Sequence, residues 1–159
     1  MKIYKAPQET PPLEIGETSI FLAGSIDMGS AENWQDRMEK DLVDFDNLVI
    51  YNPRRDDWDS DWVQDPTLGT QFHEQVTWEL DHIEAANLVV VYFADGSKSP
   101  ITLLEFGLLA RMDKYVVVYC TPEFYRYGNV KMVADRYGIP VYNDYEDLLT
   151  QVRWFVREN

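Results

Sequence analysis

The sequence predicts an α/β protein: a doubly wound parallel sheet of five strands with helices on both faces. Three observations carry this. Short runs rich in Val, Ile and Leu, such as residues 88–93, lack polar alternation, as strands buried on both sides do. Stretches with apolar residues at helical spacing separate these runs. The alternation recurs about five times, which favours parallel strands joined by right-handed crossovers.

Residues 1–18, with Pro7, Pro11 and Pro12, read as an irregular lead-in to a single domain spanning 1–159. Residues 19–23 form a first buried strand that stops at Gly24. Trp34, Met38, Leu42 and Phe45 space a helix over 33–45, and 48–51 is a second strand ended by Asn52–Pro53. The polar segment 52–70 is long for an idle connection. A helix over 71–86 and a strand over 88–93 follow, then a helix over 100–112 with Pro100 in its first turn. The remaining expectations are strands at 115–119 and 139–142, and helices at 124–137 and 145–156. In such folds ligands bind beyond the carboxyl ends of the strands. That directs attention to residues 24–27, 52–55 and 94–100 and to the loop after Tyr119.

Composition narrows the function classes. The chain has 159 residues, 45% hydrophobic, enough to bury a real core. Its formal charge of −14 disfavours nucleic acid and anionic membrane surfaces, which want clustered Lys and Arg. A small anion stays within reach, since a few backbone N–H groups hold a phosphate whatever the global charge. The single Cys120 excludes an internal disulfide and a cysteine-rich metal site. The N-terminus has no apolar core of signal-peptide length, and the longest apolar run, 88–94, is too short to span a bilayer. A soluble cytoplasmic protein is expected.

Gly24–Ser25 follows a strand and precedes a helix, where N–H groups and a hydroxyl can meet an anion or a sugar. It matches neither a dinucleotide fingerprint nor a P-loop, and a purely structural turn fits it as well. Glu105 is more telling, because its neighbours from Ile101 to Ala110 are apolar or small. An ionised carboxylate in that setting is costly to bury unless it is paired or works. The alternative is a carboxylate at the helix edge that reaches solvent or Arg111. Gln75, Glu79 and Ile83 share one helical face, so Gln75 and Glu79 form a polar pair, in a site or on a solvated face. Asp56, Asp57, Asp59 and Asp61 crowd one loop with Trp58 and Trp62, without metal-ligand spacing. An aromatic face there can stack on a base. His73 and His82 read as ordinary histidines, and Cys120 as a small core residue.

The ordered set Phe21–Leu22–Ala23–Gly24–Ser25, Asn52–Pro53–Arg54–Arg55, Trp78–Glu79–Leu80 and Leu103–Leu104–Glu105–Phe106–Gly107 resembles the nucleoside 2-deoxyribosyltransferase family. That superfamily includes nucleoside 5′-monophosphate N-glycosidases. The resemblance implies a flavodoxin-like, Rossmann-like fold and cleavage of the N-glycosidic bond of a nucleoside or nucleotide. It implies Glu105 as nucleophile and Glu79 as the second catalytic carboxylate. Gly24, Ser25, Asn52, Gln75, Asp95, Ser99 and Trp58 are the candidate substrate-binding residues. The family often carries an Asp six residues before the nucleophile; Ser99 stands there, with Asp95 nearby at another offset. The resemblance implies no metal or organic cofactor, a free nucleobase as second partner, and a closed homo-oligomer in nucleotide salvage. Two alternatives remain: a 2′-deoxynucleoside 5′-monophosphate hydrolase using Arg54 and Arg55, and a nucleotide-binding module without catalysis.

Overall fold

The computed structural model describes residues 1–26, 32–55 and 63–159. The strands are β1 (Lys2–Lys5), β2 (Thr18–Gly24), β3 (Leu48–Asn52), β4 (Leu88–Phe93), β5 (Tyr115–Cys120) and β6 (Val141–Tyr142). The helices are α1 (Trp34–Asp41), α2 (Gln71–Ala85), α3 (Pro100–Leu109), α4 (Tyr127–Tyr137) and α5 (Tyr145–Glu158). All strand pairs are parallel, in the order β1-β3-β2-β4-β5-β6. The five strands from β3 to β6 follow the flavodoxin-like order.

The sixth strand corrects the expected count of five and the reading of 1–18 as irregular throughout. Residues Lys2 to Lys5 add to the sheet edge, with Ile3 in register with Ile50 of β3. The run Lys2–Ile3–Tyr4–Lys5 has two apolar residues between lysines, too little for an apolar-run criterion. Its pairing comes from the backbone edge that β3 offers, and lysine suits a strand that ends a sheet. Lys2 Nζ bridges Glu14 and Glu17 at 2.6 Å each. The rest of the lead-in is tied to α2. Trp78 Nε1 donates to the Gln8 carbonyl at 2.9 Å, and Thr10 Oγ1 lies 2.9 Å from His82 Nε2.

Side chains alternate between two cores along each central strand. In β4, Val89, Val91 and Phe93 join the core under α2, α3 and α4, with Trp78, Ile83, Phe106, Leu109, Val130 and Ala134. Leu88, Val90 and Tyr92 join the core under α1 and α5, with Trp34, Met38, Leu148, Val152 and Phe155. Helices therefore cover both faces. Their ends differ from the sequence expectation by a few residues: α1 stops at Asp41, α3 stops at Leu109 and α4 starts at Tyr127. Terminal turns gain little from the apolar periodicity that locates a helix, so their limits are set by caps. Thr70 Oγ1 accepts from His73 N at 3.1 Å to start α2. Asp144 Oδ1 accepts from Glu146 N at 2.8 Å to start α5.

β2 and β4 lie side by side, while the chain leaves β2 for β3 on one side and β4 for β5 on the other. This reversal opens a crevice beyond the carboxyl ends of β2 and β4. Among the described residues no helix is long and apolar enough to cross a membrane.

Candidate active site

A cavity of about 330 Å³ occupies that crevice, with α2 and α3 as its walls. Its floor is the end of β2. Gly24 is required there by packing: a Cβ would stand 2.6 Å from Trp34 Cζ2 and 2.7 Å from the Tyr92 carbonyl. Ser25 N donates to the same carbonyl at 3.1 Å, and Ser25 Oγ accepts from Ala94 N at 3.1 Å, so the turn is bolted to β4.

Ser99 closes this side at the start of α3. Its φ of 42° is left-handed, a conformation that non-glycine residues seldom adopt outside constrained sites. Pro100 follows and fixes the first helical turn. Ser99 Oγ is hydrogen-bonded to Ser25 Oγ and lies 2.6 Å from Ser97 Oγ, while Ser99 N donates to Ser97 Oγ at 3.1 Å. The three hydroxyls are buried.

The walls carry the two carboxyls. Glu105 lines the cavity from α3 and is 8% exposed. Burial pushes its carboxyl up to about 8, and the Glu79 charge adds to the rise. Arg111 does not serve as its counter-ion in the manner the helix-edge reading needs; that guanidinium is exposed, 5.5 Å from the centre of the Tyr137 ring. Glu79 lines the cavity from α2, and burial raises its carboxyl too, opposed by a hydrogen bond from Gln75. Gln75 Nε2 donates to Glu79 Oε1 at 2.7 Å and to the Pro53 carbonyl at 3.0 Å. Two acidic groups thus face one enclosure, each favoured in its protonated form by loss of water. Such a pair titrates as a unit.

Of the residues singled out from the sequence, Gly24, Ser25, Gln75, Glu79, Ser99 and Glu105 come together on this cavity. Asn52 and Asp95 do not line it. Asn52 Nδ2 donates to Glu39 Oε1 at 2.6 Å and its Oδ1 accepts from Arg54 N at 2.9 Å, which turns the chain after β3. Asp95 is exposed and accepts a hydrogen bond from Thr121 Oγ1. Arg55 lines the cavity. Trp58, Trp62 and the aspartates of 56–61 lie outside the described residues.

The sequence reading passed over Phe72, Val76, Ile101 and Thr102, which also line the cavity, and Ser97, which holds Ser99. Helical spacing from the carboxyls points to the first four. Phe72, Gln75 and Val76 lie seven, four and three residues before Glu79, and Ile101 and Thr102 lie four and three before Glu105. Cys120 is fully buried in the core, and His82 is held between the Trp78 and Tyr51 rings at 3.9 and 4.5 Å. Among the described residues no group of three or more His, Cys, Asp or Glu side chains is placed to hold a metal.

The chain is similar in fold to a crystal structure of a conserved protein from Enterococcus faecalis V583, with a TM-score of 0.64. The likeness covers 87% of this chain and 98% of that one at 14% identity, so it speaks to the fold alone. No curated protein matches the chain. The model of the family described as nucleoside 2-deoxyribosyltransferase like matches residues 17–124, a span that runs from β2 to the loop after β5 and takes in both carboxyls, and the chain belongs to that family.

Proposed function

We propose that this protein cleaves the N-glycosidic bond of 2′-deoxynucleosides through a glycosyl ester on Glu105 and passes the sugar to another base. The observation that carries the reading is the convergence of Glu105 and Glu79 on one cavity, with both carboxyls raised by burial. An oxocarbenium-like transition state is stabilised by a carboxylate at the anomeric carbon, which then forms the covalent intermediate.

At rest Glu105 holds the pair's proton; the reactive form is the minor arrangement in which that proton sits on Glu79 and Glu105 is ionised. A Glu105 oxygen bonds to C1′ as the C1′–N bond breaks, and the bond electrons leave with the base. Glu79 delivers its proton to that base and holds a sugar hydroxyl. An incoming base attacks C1′ through nitrogen, Glu105 leaves as carboxylate, and the proton lost by the new base returns to Glu79. This sequence needs no metal and no organic cofactor. Gly24 and Ser25 border the 5′ end of the sugar. Ile101, Leu104 and Leu108 leave an exposed apolar stripe on α3, 43–63% exposed, which suits a closed homo-oligomer; native mass spectrometry reporting a monomer alone would contradict that part.

A second reading has its own support. The linked hydroxyls of Ser25, Ser97 and Ser99, with Arg55 on the same cavity, suit a 5′-phosphate, with water in place of the acceptor base. The test incubates each 2′-deoxynucleoside and its 5′-monophosphate with and without an added free base, and resolves the products by chromatography. A new nucleoside formed only with added base supports transfer. Base released from the monophosphate without acceptor supports the hydrolase. No product from any substrate overturns both.

A further inference from the structure

Residues 5–10 are joined at both ends to the elements that carry the site, although none of them lines the cavity. At one end Lys5 is in register with Asn52 of β3, and Ala6 N donates to the Asn52 carbonyl at 3.2 Å. The next carbonyl along, that of Pro53, accepts from Gln75 Nε2, and the same nitrogen donates to Glu79 Oε1. At the other end the Gln8 carbonyl accepts from Trp78 Nε1 at 2.9 Å, and Thr10 Oγ1 lies 2.9 Å from His82 Nε2. His82 Nδ1 lies 2.6 Å from the Trp78 carbonyl, which only accepts, so Nδ1 carries a proton. Burial lowers the titration of that ring, and in its neutral form Nε2 accepts from the Thr10 hydroxyl.

Trp78 and His82 seat α2 on the sheet. Both are 7% exposed, and their spacing of four residues puts them on one helical face. The Trp78 ring lies 6.3 Å from that of Phe21 in β2, and the His82 ring 4.5 Å from that of Tyr51 in β3. Apolar contact between rings is non-directional, so it holds the helix down without fixing its rotation. The hydrogen bonds at the ring edges are directional and do fix it. Both edges are held by residues 5–10, and the two rings flank Glu79 at one residue before and three after. We infer that residues 5–10 are a positioning strap: through Trp78 and His82 they set the rotation of α2, and so the place of the Glu79 carboxyl opposite Glu105. The inference rests on the N-glycosyl reading for what the carboxyl pair does, while the strap itself is read from the contacts alone.

The test follows the titration of the two carboxyls by carbon NMR of protein labelled at its glutamate carboxyls, alongside kcat and KM for 2′-deoxynucleosides. Among the described residues Glu105 shares the cavity with two charged side chains, Glu79 from α2 and Arg55 after β3, and the Glu79 charge adds to its rise. Thr10→Val removes the hydroxyl at nearly equal size, and Trp78→Phe removes the indole N–H but keeps a ring; neither residue lines the cavity. Lys2→Met is the control, since it breaks the bridges to Glu14 and Glu17 in the same lead-in and leaves the contacts of Gln8 and Thr10 in place. Released from the strap, α2 carries Glu79 away from Glu105 and admits water, and both changes lower the Glu105 midpoint. The expected fall is roughly half a pH unit in Thr10→Val and more in Trp78→Phe, with about none in Lys2→Met. With it kcat drops roughly threefold to tenfold while KM stays within about twofold. Unchanged midpoints in both strap variants, with only the melting temperature lowered, would overturn the proposal, as would an equal fall in the control. Thr10→Val keeps the test decisive if Trp78→Phe disturbs folding. Midpoints that shift as expected in a protein that turns over no nucleoside would uphold the strap while refuting the reaction proposed above.

Discussion

The two helical layers on this sheet solve the same packing problem differently. Under α1 and α5 the interior is mostly aromatic and aliphatic, with Trp34, Tyr92 and Tyr119 stacked at 4.7 and 4.3 Å between ring centres and Gln35 as a fully buried polar exception. Some charges of those helices stay at the rim, as in Arg37 with Glu146 at 3.0 Å, 43% and 71% exposed, while Arg153 is half-buried against the Asp41 carbonyl. Under α2 and α3 the apolar core gives way toward the strand ends to Gln75, Glu79, Ser99, Thr102 and Glu105 around a cavity. One layer supplies stability, and the other gives some of it up. Buried carboxyls and a left-handed serine are local penalties that persist only where the surrounding framework is stable enough to hold them.

The largest effect expected from this contrast is on the pH dependence of stability. Folded Glu105 keeps its proton to about pH 8, whereas its reference value is 4.5. A raised value means the folded state binds the proton more tightly, so this contribution is complete below 4.5 and is lost as pH rises to about 8. Glu105→Gln cannot ionise. It should therefore be more stable than wild type at pH 9, by up to roughly 5 kcal/mol, with the gain vanishing near pH 5. Urea unfolding at the two pH values measures this. A gain equal at both would break the link to ionisation.

On the opposite face the sign reverses. Trp34 is fully buried beneath Gly24 and stacks on Tyr92. Trp34→Ala should destabilise by roughly 3–4 kcal/mol at every pH, lowering the melting temperature by about 10 °C. A loss below about 1 kcal/mol would show that this layer is not the stabilising one.

Much of this architecture was legible in the sequence, because strands buried on both faces leave continuous apolar runs and helices leave a 3.6-residue rhythm. β1 was not, since an edge strand of four residues takes its definition from its neighbour's backbone. At the site, Glu105 stood out as a carboxylate in an apolar helix, and Gln75 with Glu79 by their spacing. Asn52 and Asp95 sit at strand ends as expected, yet sequence position does not fix where a side chain points, and both turn to partners off the cavity. Ser97 fell within the 94–100 stretch but was not singled out, because its role comes only from the left-handed turn that brings Ser99 back onto it.

The central claim is the covalent step on Glu105. Wild-type protein mixed with a 2′-deoxynucleoside that it turns over, quenched in acid and analysed by peptide mass spectrometry, should carry one 2-deoxyribosyl group on the peptide containing Glu105. The adduct should disappear in Glu105→Ala along with turnover. Full turnover by Glu105→Ala, or a sugar carried on any other residue, would contradict the account.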